Sequence, residues 1–375
     1  LSLHSNKLQI LQNNIPGEPQ SSFVIEELKL NVMGDINQHK LKVHWQGVSQ
    51  GFSQGNLGGS IALDGQWRNV DNSWRSQVDQ FTLTYQDFTW QNNKTFDLNI
   101  DMRKQALFIE KHCLQGEGLK VCPPDNTLVG SSADITLDLH LNLAVIDQLF
   151  LPDEIQLTST VTGELNTQWS ATQPITAQAN LSFSPGHIKI SDTYRDQQMG
   201  QWDQGKLLLS ANEKHLKSQF ILNDTSQEPL ININSTLSFI DDFTLEQLPI
   251  NAEISLQQFN LQPFQSFTGD IVNLQGKLST MLTVNGSVKS PVVSGNIVLE
   301  QGELLLKDNP NKFQQVKANI KIDKNTALIN GEFYLEDDKA NITGQVAFQD
   351  TLALNINLHA EQLPLIFPPQ LAMNL

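Results

Sequence analysis

The sequence runs to 375 residues, 39% hydrophobic and only 17% charged, with Gln, Asn, Ser and Thr supplying much of the balance. Its 24 Lys and Arg against 40 Asp and Glu give a formal net charge of -16, the wrong sign for replacing phosphate counterions, so nucleic acid is excluded and charge-driven docking on anionic headgroups is disfavoured. Abundant Leu, Ile, Val and Phe exclude disorder, and no apolar run reaches the roughly 18–20 residues of a membrane-crossing helix. The chain opens at Leu1 without a basic-then-apolar leader and stops at Leu375 in mid-pattern, so it reads as a piece of a longer chain, truncated at both ends.

In chain order, almost every segment reads as strand. Runs alternate apolar and polar residues and then stop at Gly, Asn or Asp, which gives each run one greasy and one wet face. Residues 22–50, 57–67, 80–90, 96–102, 106–113 and 134–142 are expected strands or hairpins, with turns at Gly34-Asp35, Gly58-Gly59, Asn92-Asn93 and Gly116 to Gly118. Cys113 and Cys122 flank that last turn, so an antiparallel hairpin could bring the sulfurs together. A disulfide there would contribute about 2–3 kcal/mol in the chain-entropy model and point to an oxidising compartment. Two reduced thiols are the alternative, and a zinc site at His112 lacks a fourth ligand nearby.

Helical signal is thin: 143–151 and 261–269 each allow two turns. Each stretch precedes a related unit, 142–190 and 260–306, with Asn142-Leu143 matching Asn260-Leu261, Leu157 matching Leu274, and Pro174 matching Pro291. That is a repeat, and repeats stack into elongated arrays; residues 1–375 are expected to form one continuous array with no linker. In the final third, Ile320/Ile322, Ala327/Ile329/Phe333/Leu335, Ile342/Val346/Phe348 and Leu352/Leu354/Ile356/Leu358 each share a face.

No catalytic constellation emerges. There is no HExxH or GxSxG, GEGLKV lacks the third glycine of a dinucleotide fingerprint, and GKLST lacks the earlier glycine of a phosphate loop. The histidines fall singly; His39 and His44, five apart, would point to opposite faces of a strand. Asp241-Asp242 and Asp337-Asp338 read as turn residues. Trp67, Trp74, Trp90 and Trp169 read as caps on an apolar edge rather than a sugar platform. The expectation is a protein that is not an enzyme and uses no cofactor and no metal.

SIALDGQWRN followed by SWRSQVDQFTLTYQDFTW, the repeat FLPDEIQLTSTVTGELNTQWSATQPITAQANLSFSPGHIKI, and above all LQGKLSTMLTVNGSVKSPVVSGNIVLEQGELLL carry a family likeness. Together they resemble the TamB translocation and assembly module subunits, members of the AsmA-like, bridge-type lipid transport proteins. The cysteine pair fits the same region, whereas CPPDN departs from the glycine and tryptophan expected after the second cysteine. The resemblance implies an internal fragment of an all-β protein whose curled, antiparallel-rich sheet forms a U-shaped hydrophobic trough, a "β-taco". It implies a periplasmic location in a Gram-negative envelope, a missing N-terminal inner-membrane anchor, and an outer-membrane barrel partner of the TamA type beyond the C-terminal end. The implied cargo is phospholipid, moved between the two membranes; the alternative is assembly of outer-membrane β-proteins with the barrel partner.

On this reading the groove is lined by Leu278, Leu282, Val284, Ile297, Leu299, Leu304, Leu306, Ile329, Phe333, Leu335, Val346, Phe348, Leu354, Ile356 and Leu358. Periodicity alone favours an ordinary sandwich core for the same residues, and the resemblance reverses that preference. A chaperone offering strand edges to clients and a purely structural envelope spacer are the rival classes.

Overall fold

The computed structural model describes residues 2–5, 8–11, 22–50, 55–146, 149, 151, 155–192, 195–224, 229–240, 244–262, 265, 271–307, 309, 311–348, 352–367 and 371–374. The chain is all-β and antiparallel, with 30 strands among the described residues. It divides into two units, one of residues 1–152, 159–182 and 210–213, the other of 153–158, 183–209 and 214–375.

In the first unit, β1 (Ser2–Ser5) and β2 (Leu8–Leu11) lie end to end along one edge of β3 (Ser22–Gly34). β4 (His39–Gln50), β5 (Gly55–Arg68) and β6 (Ser73–Tyr85) continue as a meander. The sheet then forks: β7 (Phe88–Asn92) pairs with Thr82–Tyr85 of β6, whereas β8 (Phe96–Asp101) pairs with Ser73–Val78. β9 (Ala106–Ile109), β10 (Leu114–Gly116), β11 (Leu119–Cys122) and β12 (Thr127–Val129) extend the two branches, β7-β10-β11 and β8-β9-β12. The branches meet again at β13 (Ala133–Asn142), which pairs with β11 and packs beside β12.

The fork explains where the sequence-based boundaries shift. The expected strand 106–113 ends at Ile109 because 110–113 cross between branches, whereas 80–90, expected as a strand or hairpin, is a hairpin turning at Gln86-Asp87. Side chains stitch the crossing: Asn93 accepts from Cys113 N (2.9 Å), Glu110 accepts from Asp97 N (3.0 Å), and Asn92 accepts from Phe81 N (2.7 Å). The Cys113–Cys122 disulfide closes the β10–β11 hairpin at the same place, with Cα atoms 4.2 Å apart. Gly58-Gly59, expected as a turn, sits inside β5; Gly59 lies under the Trp45 indole, where a Cβ would come within 2.2 Å of the ring. The buried core here is small: Leu63, Val78 and Phe96, flanked by partly buried Leu41, Ile61 and Phe81.

Helix α1 (Leu143–Ile146) follows β13, while most of 147–154 and 263–270 lies outside the described residues. Next come β14 (Ile155–Thr158), β15 (Thr160–Trp169), paired with β13, and β16 (Thr176–Phe183). In the second unit β14 pairs with β17 (Gly186–Asp192), which pairs with β18 (Arg195–Trp202). β19 (Gln204–Ala211) precedes a nine-strand meander in which each strand pairs with the next: β20 (His215–Asn223), β21 (Pro229–Ser238), β22 (Ile250–Asn260), β23 (Ile271–Gly286), β24 (Pro291–Leu306), β25 (Lys312–Asp323), β26 (Thr326–Leu335), β27 (Asp338–Phe348) and β28 (Leu352–Ala360). Among the described residues no pairing joins β20 to β28, so the meander is an open sheet and not a barrel. β29 (Pro364–Phe367) and β30 (Leu371–Asn374) form a closing hairpin.

A crease crosses this meander. Four successive strands carry a residue with positive φ along one line: Gln258 on β22 (48°), Gly276 on β23 (147°), Gln301 on β24 (54°) and Gln315 on β25 (48°); β23 and β24 have a second each, Gly286 and Gly295, away from that line. The register shifts at or beside each of the four in line. Each bulge bends its strand and strengthens the local twist, and bulges aligned on neighbours bend the sheet along one line.

The stretches at 142–190 and 260–306 share local geometry. Leu143 N donates to Ser159 O (2.9 Å) as Leu261 N does to Gly276 O (3.0 Å), and the side chains of Asn142 and Asn260 accept from Ala144 N and Gln262 N. In the first stretch the strands break at Ser159 and at Ser184-Pro185; in the second they run on through the bulges at Gly276 and Gln301.

Candidate functional site

Directly paired residues of antiparallel strands project to the same side of the sheet, so the register of the second unit fixes its faces. One row across all nine strands reads Phe220, Ile233, Ile254, Leu282, Gly295, Ile322, Ala327, Val346, Leu354. The next row reads Leu222, Ile231, Leu256, Thr280, Ile297, Ile320, Ile329, Gly344, Ile356. A third runs Phe259, Leu278, Leu299, Ala318, Gly331, Ile342, Leu358. One side of the meander is therefore almost wholly apolar. Its single polar member in these rows, Thr280, hands its hydroxyl hydrogen to Asn296 O at 2.8 Å.

All fifteen residues expected to line a groove fall on this side. Leu304 and Leu306 are the informative cases. In an unbroken strand, Leu299 and Leu304 would face opposite ways. The bulge at Glu300-Gln301 restores the phase: Leu299 pairs with Leu278, Leu304 with Leu274, and Leu306 with Ile271.

This side is not a packed core. Of the fifteen, only Leu335 is fully buried, while Phe348 is 48%, Leu354 61%, Ile356 46% and Leu358 51% exposed, and the others are half-buried. A facing sheet would bury most of them. A core cluster lies at the β26–β27 turn end, where Leu363, arriving after β28, packs on Leu335 and Ala340 beside Phe313, Phe333 and Ala360.

The opposite side is polar and laced with exposed ion pairs. Lys317 and Lys339 both reach Glu332 (3.1 and 2.6 Å), and Lys312 reaches Glu303 (2.8 Å). Hydrogen bonds from Lys339 and then Lys317 hold the Glu332 carboxyl below its ordinary range.

Sequence reasoning missed three parts of the apolar side. Phe220, Ile233 and Ile254 extend it onto β20–β22, and their alternation carried the same signal in a less regular stretch. The first unit has an equivalent side, with rows such as Leu30, Val43, Ile61, Phe81 and Leu28, Trp45, Gly59, Leu83. Leu363 follows the last alternating run, and nothing in its local sequence marks it for burial.

Elsewhere, the indole N–H groups of Trp67, Trp74, Trp90 and Trp169 donate to Asn69, His39, Glu117 O and Gly130 O, which ties each ring to a turn or strand end. His39 and His44 lie on opposite faces of β4, His39 opposite Gly65 and His44 opposite Ser60. Asp337 lies in the β26–β27 turn, and Asp241-Asp242 lies outside the described residues. Among the described residues no group of three His, Cys, Asp or Glu is placed to hold a metal ion, and no helix is long and apolar enough to cross a membrane.

Comparison with known proteins agrees with this architecture. The family model described as "TamB, N-terminal domain" matches residues 6–299. A curated relative, the translocation and assembly module subunit TamB of Haemophilus influenzae, is 19% identical over 365 residues, covering 96% of this chain and 26% of the relative. The chain thus spans about a quarter of that relative's length. No solved structure matches.

Proposed function

This chain belongs to the TamB family, matched through the N-terminal domain model, and from that premise we propose that it is a segment of an envelope-spanning bridge that carries phospholipid between membranes. The observation that supports the reading is the uncovered apolar side of the β20–β28 meander. Acyl chains laid along it would gain about 0.8 kcal/mol per buried methylene, while headgroups stay in water at the strand ends. Such a conduit needs continuity and no deep local minimum, and three apolar rows crossing successive strands support the first of these.

The segment acts as a non-catalytic transport element. The Cys113–Cys122 disulfide fits an oxidising compartment, which supports a periplasmic location in a Gram-negative envelope. Its partners on this reading are phospholipid, an inner-membrane anchor in the parent chain, and an outer-membrane barrel.

Native mass spectrometry with lipid extraction tests the proposal. Chain purified from membranes should carry phospholipid, and Leu282→Asp with Phe333→Asp should lower the amount clearly while circular dichroism stays unchanged. Lipid-free wild type, or full lipid loading in that folded variant, would overturn the conduit.

A second reading, assembly of outer-membrane β-proteins, is favoured by one observation. β28 pairs only with β27 among the described residues, and Ala353–His359 are exposed throughout. An unpaired edge is a template for strand addition. Peptide crosslinks concentrated on β28, with none to lipid along the rows, would shift the weight to this reading.

A further inference from the structure

Along one rim of the first unit, the hairpin tips present a pattern unrelated to the groove. The β3–β4 tip exposes Ile36 (64%), the β5–β6 tip Val70 (92%), the β8–β9 tip Met102 (53%), and the β15–β16 tip Ile175 (55%). One exposed aliphatic residue at a turn is commonplace; one on each of four tips of one rim is not, the fifth tip there, β12–β13, being Gly130-Ser131-Ser132. The turns on the opposite rim among the described residues carry Gln86-Asp87 and Glu117-Gly118 instead. Backbone bonds hold the tips in a row, Trp67 N to Ile36 O (2.9 Å) and Met102 N to Asn72 O (3.2 Å). Two-strand spacing sets the first three tips roughly 10 Å apart.

The same rim gathers most of the chain's arginines, beside one aspartate at each of the first three tips, Asp35, Asp71 and Asp101. The chain has four arginines, and three of them, Arg68, Arg75 and Arg103, flank these tips. Arg68 and Arg75 share Asp71, at 4.0 and 3.1 Å, which leaves one positive charge over; Arg103 has no acidic partner among the described residues. Arginine is the side chain best fitted to phosphate oxygens.

The geometry points to this rim as a docking surface for a phospholipid bilayer, with the four aliphatic apices inserted among acyl chains and the arginines against lipid phosphates. A protein partner would want one contiguous dry patch, whereas these apices are separated by polar turn residues such as Asn37, Asn69 and Asn72. A bilayer accepts separate apolar pegs, each finding its own space below the headgroups. The low basic content of the chain excludes docking driven by net charge and leaves this shallow, local mode.

Vesicle flotation tests it. Wild-type chain should float with vesicles of phosphatidylethanolamine and phosphatidylglycerol, three to one, and high salt should weaken this no more than severalfold, the share carried by the arginines. Ile36→Ser, Val70→Ser, Met102→Ser and Ile175→Ser together should lower partition at least tenfold; each side chain is more than half exposed, so the fold persists. Arg68→Gln with Arg103→Gln should lower it severalfold. The groove variant Leu282→Asp with Phe333→Asp should float like wild type, which separates this proposal from lipid carriage. Undiminished flotation of the tip variant, loss in the groove variant alone, or a vesicle-independent oligomer abolished by the tip substitutions would overturn it.

Discussion

Gly59 shows how single positions shape the apolar side. Its place in mid-strand costs backbone entropy, yet a Cβ there would lie 2.2 Å from the Trp45 ring and 2.6 Å from Thr82 O. The glycine is the recess in which the indole lies flat across its neighbour strand. Gly59→Ala should therefore destabilise the first unit by about 1–3 kcal/mol, the usual cost of overpacking. Gly200→Ala, at a position with nothing within 4 Å of the added carbon, should be neutral within about 0.5 kcal/mol. Chemical denaturation of both variants checks the pair; equal effects would mean that lost glycine flexibility, and not the Trp45 contact, sets the outcome. Adjacent glycines ordinarily punctuate strands, so Gly58-Gly59 reads locally as a turn. A tryptophan on the next strand was the deciding fact, and it is not local.

At the level of elements, alternation made strand identity and facing legible, as the common side shared by Ile329, Phe333 and Leu335 with Leu354, Ile356 and Leu358 shows. Bulges and branching were not legible. The fork at β6 depends on which half of a strand pairs with which partner, a choice written in Asn92, Asn93 and Glu110 only after the chain has folded. The crease is similar, because Gln is an ordinary strand-surface residue and nothing about Gln258, Gln301 or Gln315 announces positive φ. An L residue in that region costs about 1–2 kcal/mol, so the aligned bulges hold these three against their preference. Gln301→Gly and Gln315→Gly should accordingly be neutral or stabilising by up to about 1 kcal/mol, offset by glycine's larger entropy loss. Gly276→Ala should cost about 1–2 kcal/mol, since it adds a Cβ at φ 147° within 2.9 Å of Leu299 Cδ1. Opposite signs at Gly276 and Gln301 in thermal unfolding would mark the crease as backbone-imposed. Destabilisation at all three would mean instead that the glutamine side chains hold the bend.

Across the second unit as a whole, the arrangement of the rows separates conduction from storage. Lipid carried along the sheet passes each strand in turn, so local barriers act in series. Lipid bound at equilibrium occupies the strands in parallel, so losing one stretch removes only its share. A carboxylate on a half-exposed apolar row raises the free energy of a passing acyl chain by about 1.5–2.5 kcal/mol, discounted from its cost at a bilayer centre. That slows passage roughly 10- to 70-fold. Ile254→Asp on β22, Ile297→Asp on β24 and Ile356→Asp on β28, introduced singly, should each slow donor-to-acceptor vesicle transfer of a fluorescent phospholipid by factors in that range. Lipid retained per chain, read by native mass spectrometry, should fall by less than half in each. If one position alone abolished both readouts, the apolar side would hold a single pocket. If retention and transfer fell in step at every position, the face would store lipid and not conduct it. Only similar, severe blocks at β22, β24 and β28 with largely preserved loading fit a path that runs strand to strand, because only a series path lets one interruption anywhere stop the flow.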